Sequence, residues 1–356
     1  MSPTASDRPG PGPTPPAPAA PAYLDAATLA RLIDAPRAVD VLARALAAGE
    51  VDPEDDTPRL FAPARAGAEF LMMPSAGRST AGVKVLTLTP GNPRAGHPTV
   101  QGLYILFDAD TMAPVALVEA AELTLIRTSA TTVMAARHLL AAKRHPAGEA
   151  PERPTTDLPT ATARRVVVFG TGPQARRHIS CLTAVLAPED IAVAGRRPEA
   201  VEAVAAQARA DGAPARPARG DVAAEVAAAD LVICVTSSPT PLFDGAAVAD
   251  DAVVCAVGVH GPGKRELPAD LILRSDLVVE GRASAMRESG NLLAARTAQQ
   301  WAEDPRPLAN LADLAAGRFT PRPGCPAVFS GVGMAWEDLV LVTHAHHQYR
   351  RSRPAP

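Results

Sequence analysis

The chain has 356 residues, 47% of them apolar, which is roughly two domains' worth of sequence with material for a buried core. The 35 Lys and Arg against 38 Asp and Glu leave a net charge of −3, excluding a strongly basic nucleic-acid binder and a polyacidic tail protein. Aromatics make up only 3% and prolines number 37, so the core must be built from Ala, Val, Leu and Ile, with prolines where no backbone N–H is needed.

Residues 1–21 are mostly Pro, Ala, Gly, Ser and Thr, and the expectation is a disordered tail. This start lacks the basic-then-apolar order of a signal peptide. No stretch reaches the roughly 18 uninterrupted apolar residues of a membrane helix, so a cytoplasmic protein without a membrane partner is expected. Over 23–45, Leu29, Leu32, Ile33, Val41 and Leu42 recur at helical spacing, with a predicted interruption at Pro36. Strands are predicted at 70–73, 83–88, 103–107 and 115–118, then a helix over 122–142 with Thr128, Ser129, Thr131 and Thr132 near its start. A second Pro-rich stretch, 146–159, reads as an exposed spacer.

Beyond the spacer, apolar runs at 166–169, 191–194, 231–235, 253–257 and 277–279 alternate with helical segments. That alternation predicts an α/β fold with a doubly wound parallel sheet. Residues 328–350 read as a final helix, approached through Ser330-Gly331-Val332-Gly333. Its His344, His346 and His347 lack accompanying ligands and are read as a solvated helix face, with no metal expected. Cys181, Cys234, Cys255 and Cys325 form no C-x-x-C pair and are expected as free thiols in a reducing compartment.

The sharpest local signal is VVVFGTGPQA at 166–175, a G-x-G-x-x-A run placed after a strand and opening a helix. Gly170 allows the tight turn and Gly172 lets a pyrophosphate reach the backbone; Ala175 is small where helix meets strand. Thr171, Pro173 and Gln174 complete the loop, whose anion affinity comes from free N–H groups at the helix start. The second strand ends in Gly195-Arg196-Arg197, without the acid that bonds an NAD ribose. Two guanidinium groups suit a 2′-phosphate, so NADP(H) is favoured over NAD(H). Thr236 and Ser237, ending a later strand, are expected to line the nicotinamide ribose side.

The stretches MMPSAGRSTAGVKVLTLTPGNP (72–93), ELTLIRTSATTVMAA (122–136), FGTGPQARRHI (169–179), AVGVHGPGKREL (256–267) and SGVGMAWEDL (330–339) resemble the ornithine cyclodeaminase/μ-crystallin family. The resemblance implies a Rossmann-type NAD(P)-binding domain over 129–321. It also implies a second α/β domain, built from 22–128 and 322–350, that carries the substrate and forms a homodimer. By position, it implies that Arg127 clamps a substrate α-carboxylate, that Lys84 faces the substrate, and that Arg59 is a further arginine of that site. An ammonium inside an apolar strand also needs an anionic partner on physical grounds. The family's cyclodeaminases carry a catalytic aspartate where this chain has His260. A histidine cannot pair with a substrate ammonium, but it can exchange a proton with an amine or imine at neutral pH.

Of the remaining polar residues, Asn92 and Thr99 are candidates to bond the carboxylate or cofactor, and no chemistry is assigned to Glu288 or Asn291. The functional expectation is an NADPH-dependent reductase of a ketimine, or the reverse amino-acid dehydrogenase, acting on a small α-amino or imino acid. A redox-neutral ornithine or lysine cyclodeaminase and a non-enzymatic small-molecule binder are the alternatives.

Overall fold

A computed structural model describes residues 20–55, 57–144, 159, 161–306 and 308–352. Most of the Pro-rich tail and of the 146–159 spacer therefore lies outside the described residues. In chain order the first half forms β1 (Ala22–Leu24), α1 (Ala26–Leu32), α2 (Ala35–Ala47), β2 (Leu60–Pro63), β3 (Glu69–Ala76), β4 (Thr80–Leu88), β5 (Val100–Asp108), β6 (Pro114–Glu119) and α3 (Ala120–Arg144). Then follow β7 (Arg165–Phe169), α4 (Pro173–Leu186), β8 (Asp190–Ala194), α5 (Pro198–Ala210), β9 (Ala215–Pro217), α6 (Val222–Ala227), β10 (Leu231–Cys234), β11 (Val253–Ala256), α7 (Ala269–Arg274) and β12 (Asp276–Val279). The chain closes with α8 (Arg282–Glu288), α9 (Gly290–Leu293), α10 (Ala298–Ala302), β13 (Ala309–Asn310), α11 (Leu311–Ala315), β14 (Ala327–Ser330) and α12 (Ala335–Arg351).

Among the described residues these strands make two sheets. Six form the order β1-β6-β5-β4-β3-β2, antiparallel except for the parallel β1–β6 pair. Eight form β13-β12-β14-β11-β10-β7-β8-β9, parallel throughout. The parallel strands β10, β11 and β14 are apolar and buried at every position, as expected of strands covered on both faces. In β4 and β5 the even-numbered residues Lys84, Leu86, Tyr104 and Leu106 point inward. The opposite face carries the exposed Tyr23, Leu60, Phe70 and Leu103.

Two local expectations are corrected. Pro36 does not interrupt a helix; it occupies the first turn of α2, where its missing N–H is not needed, behind the N-cap Asp34. Residues 328–350 are not one helix either. Val328 and Phe329 belong to β14, which is inserted between β11 and β12, and the helix begins only at Ala335. A four-residue apolar strand followed by glycines has no period of its own, so it merged with the helix that follows.

Helix α3 joins the two sheets, packing on α2 and α4 and on β5, β11 and β14. It is buried around most of its circumference, and several of its hydroxyls are satisfied within the helix. The hydroxyls of Thr124, Thr128, Ser129 and Thr132 each donate to the carbonyl four residues back. None of the helices among the described residues is long and apolar enough to cross a membrane.

Candidate active site

The parallel sheet reverses its winding direction between β7 and β10, and the crevice above their carboxyl ends is where such sheets hold ligands. Gly170 leaves β7 with φ +140°, and a Cβ there would lie 2.9 Å from the Val235 carbonyl oxygen, so the loop must pass this point as glycine. Gly172 caps α4 and has open space above it, which lets a phosphate group approach the backbone. Pro173 starts the helix and Ala175 is fully buried against the sheet. Thr171 packs beside Gly195 at the end of β8. The fit to a dinucleotide pyrophosphate is therefore good at the loop, with N–H groups of the α4 start as donors. Gln174 turns sideways instead, its amide 3.4 Å from the Thr124 carbonyl of α3. Arg196 and Arg197 are exposed beside the loop, and neither has an ion pair among the described residues.

On the far side of the crevice, Thr236 is less free than expected. Its N–H and hydroxyl donate to one oxygen of the buried Glu266 at 2.6 and 2.7 Å, while Gly258 N–H donates to the other at 2.8 Å. Glu266 thus ties the ends of β10 and β11 together, and burial pushes its carboxyl up to about 7 against those hydrogen bonds. Asn291 holds this carboxylate's own segment by accepting from the Glu266 and Leu267 N–H groups. Thr236 is a structural bracket for the crevice, and of the expected pair only Ser237 is exposed.

The substrate-side residues meet where the inner face of the six-stranded sheet approaches the start of α12. Lys84 is fully buried, its Nζ 2.6 Å from Asp338 Oδ2 in an ion pair whose angles fall outside hydrogen-bond geometry. The anionic partner that its burial demands is thus supplied by the protein itself. Burial lowers the ammonium to about 8, opposed by Asp338 and assisted by Arg127. Arg127 donates from Nη1 to Glu337 at 2.9 Å, and Nε lies 3.8 Å from Asp338. Its guanidinium lies beside Gly333, where φ is +82° and a side-chain Cβ would run into the guanidinium. Burial, then the charge of Glu280, pushes the Glu337 carboxyl well above the usual range, against the pull of Arg127.

Arg59 is engaged differently from a simple carboxylate clamp. Its Nη2 donates to the carbonyls of Val332 and Gly333 at 2.7 and 2.5 Å, and Nε pairs with Glu288 at 2.8 Å. Glu280 accepts from the N–H groups of the same two residues at 2.8 and 2.6 Å. The Val332–Gly333 segment is therefore pinned from both sides, which fixes the backbone beside the Arg127 guanidinium and the approach to α12. His260 follows β11 on a loop that closes through Gly261, whose N–H donates to the Glu288 carbonyl. Its exposed ring stacks on exposed Phe61 of β2, centroids 6.2 Å apart at 27°. Crowding by protein atoms, then the positive charges of Arg59, Lys264 and Arg127, disfavours the imidazolium.

Asn92 donates to the Pro98 carbonyl within its own surface turn, and Thr99 pairs through its carbonyl with Thr89 at the same turn, so both serve the loop. His346 is buried, His344 half-buried and His347 exposed, so the H-x-H-H run is not one solvated face. No group of three potential metal ligands occurs among the described residues.

The sequence matches the profile of the ornithine cyclodeaminase/mu-crystallin family over residues 27–146 and 155–352. The chain belongs to this family. A Δ1-pyrroline-2-carboxylate reductase of Burkholderia multivorans is 33% identical over 319 residues, covering 88% of this chain and 92% of that protein. A Δ1-pyrroline-2-carboxylate/Δ1-piperideine-2-carboxylate reductase of Azospirillum brasilense shows the same identity and coverage. The fold agrees with that of the Thermococcus litoralis Δ1-pyrroline-2-carboxylate reductase, solved with NADH and L-proline. Its TM-score is 0.76 at 22% identity, over 93% of this chain and 98% of that one.

Within this family member, the residues that sequence reasoning passed over are acids. Glu266, Glu280, Glu337 and Asp338 are all buried and each organises a site loop or a site cation. A signal was present: Glu337 and Asp338 stand together between Trp336 and Leu339, and acids in an apolar helix turn need buried partners.

Proposed function

We propose that the protein is an NAD(P)H-dependent reductase of small cyclic imino acids, with the reverse oxidation of the amino acid as the same reaction read backwards. The observations that carry this reading are a dinucleotide-type loop at the switch point of the parallel sheet and an arginine, Arg127, that lies beside the Lys84–Asp338 pair and whose charge reaches His260. The 33% identity with two imino-acid reductases over nearly the whole chain supports the same reading. Arg127, with Lys84 behind it, holds the α-carboxylate through charge-assisted bonds and so fixes the imine carbon. Arg59 fixes the 332–333 backbone against which Arg127 rests. His260, with its ring neutral, accepts a hydrogen bond from the protonated imine nitrogen, and in reverse takes the amine proton. Gly170, Thr171, Gly172, Pro173, Ala175 and Ser237 would hold the dinucleotide, which when bound would supply the hydride. The test is NAD(P)H consumption at about 340 nm with Δ1-pyrroline-2-carboxylate or Δ1-piperideine-2-carboxylate. Ammonia release from ornithine with no net cofactor change would replace this reading with cyclodeamination.

NADP(H) is the proposed cofactor, because the unpaired Arg196 and Arg197 stand beside the loop at the end of β8. Substituting Arg196→Ala together with Arg197→Ala should weaken NADPH binding by about 10–100-fold, as expected for lost charge-assisted bonds, and NADH binding far less. Equal weakening of both would remove the preference.

The proposed division gives 22–128 and 322–350 to the substrate-binding part and 129–321 to the cofactor part, with β14 of the 322–350 stretch lodged in the parallel sheet of the latter. The exposed outer face of the six-stranded sheet, with Tyr23, Phe70 and Leu103, is the proposed homodimer surface, since so apolar a face needs covering. Leu103→Glu should convert a dimer to a monomer in sedimentation, whereas a wild-type monomer would contradict the assignment. A cytoplasmic location fits the free Cys181, Cys234 and Cys255, all buried and unpaired.

A further inference from the structure

Helix α8 is gripped at both ends by side chains from the first part of the chain. At its start, the Arg282 N–H donates to both oxygens of the half-buried Glu54 at 3.0 and 3.1 Å, and the Ala283 N–H to one of them at 3.3 Å. The same carboxylate accepts from Arg282 Nη1 at 3.2 Å and from Asn310 Nδ2 at 2.8 Å. Glu54 therefore satisfies N–H groups that the first turn of the helix leaves free. It sits in the 3-10 turn Pro53–Asp55, which comes so near that a Cβ on Gly281 would lie 2.6 Å from the Pro53 carbonyl oxygen. At the other end of α8, Glu288 pairs with Arg59 Nε at 2.8 Å.

That far end also carries the loop after β11. Gly261 donates its N–H to the Glu288 carbonyl at 2.8 Å. Just beyond, the Lys264 carbonyl oxygen of the same loop occupies the space that a Cβ on Gly290 would need. His260 precedes Gly261, so the backbone that presents its ring rests on α8. We propose that Glu54 is a positioning residue for proton transfer, setting α8 and, through α8, the loop that carries His260. This rests on the reductase reading, in which His260 exchanges the proton on nitrogen. Glu54 belongs to the proposed substrate part and α8 to the proposed cofactor part, so the contact references one to the other. Arg59 shares the task, since it also holds the Val332 and Gly333 carbonyls beside Arg127. A displacement of about 1 Å at the loop is enough to cost a large factor in rate.

A double-mutant cycle tests this, read as the single-turnover rate of NADPH oxidation with Δ1-pyrroline-2-carboxylate. Glu54→Ala should lower that rate by about 10-fold or more, with NADPH affinity within about 2-fold of wild type. On a His260→Asn background the same substitution should change the rate by less than about 2-fold, because the group it positions is gone. Should the alanine variant not fold, Glu54→Asp, too short to reach both N–H groups, goes through the same cycle with the same expectation. An unchanged rate in the single variant, or the same fold-loss on both backgrounds, overturns the inference while leaving imine reduction intact. A His260→Asn rate equal to wild type overturns it together with the role of His260. Failure of the wild type to reduce any cyclic imine overturns the reductase reading and the inference together.

Discussion

Substituting Asp338→Asn should destabilise the protein by about 3–5 kcal/mol, the usual cost of leaving one member of a buried ion pair without its partner. The side chains of Lys84 and Asp338 are both inaccessible to solvent and 2.6 Å apart, and water cannot take over the role of the missing charge. The pH dependence separates charge from packing. In the wild type, burial holds Lys84 at about 8, below the 10.5 of the unfolded chain. Between those values the unfolded chain retains a proton that the folded protein has lost, so this group makes stability rise with pH. Without Asp338 the lysine is held lower still, and its relief begins at lower pH. The gap between variant and wild type should therefore be widest in acid and narrow as the pH approaches about 8. Denaturant melts across that range measure it, and a gap independent of pH would show that packing, not charge, was lost. The double substitution Lys84→Met with Asp338→Leu should recover most of the loss, because two apolar side chains need no counter-ion.

The second large effect is functional. Arg127→Met should lower kcat/KM for the imino acid by roughly 10²–10³-fold, the consequence of removing about 3–4 kcal/mol of carboxylate binding. Its structural cost should be smaller than that of Asp338→Asn. Glu337, the carboxyl that Arg127 contacts at 2.9 Å, is pushed towards its neutral form by burial and by Glu280, so little uncompensated charge remains behind. Affinity for NAD(P)H should stay within about 2-fold of wild type, since Arg127 belongs to α3 and not to the glycine loop. Steady-state kinetics with a fluorescence titration of the cofactor separates the two. An unchanged kcat/KM would place the carboxylate elsewhere.

The parallel sheet was readable because its strands are short apolar runs separated by helices, and the glycine loop because strand, turn and helix signals coincide at 166–175. The order of that sheet was not. β14 arrives from the far end of the chain and lodges between β11 and β12, a pairing set by long-range packing and invisible to local periodicity. At the site, Lys84 stood out as a charge inside an apolar strand and Arg127 was marked only by the family resemblance, and the structure brings both to Asp338 at the start of α12. Their buried acidic partners lie more than two hundred residues away in sequence, so the pairing could not be inferred from spacing. Likewise Arg59 looked like one more substrate cation, yet its donors go to the carbonyls of Val332 and Gly333, which only the folded backbone presents.

Label transfer tests the central claim most directly. The protein is incubated with Δ1-pyrroline-2-carboxylate and NAD(P)H carrying deuterium at the transferable C4 position, and the proline formed is analysed by mass spectrometry and NMR. One deuterium at Cα of the proline is the predicted result. Proline without deuterium at Cα, or no proline while ornithine releases ammonia, would contradict it.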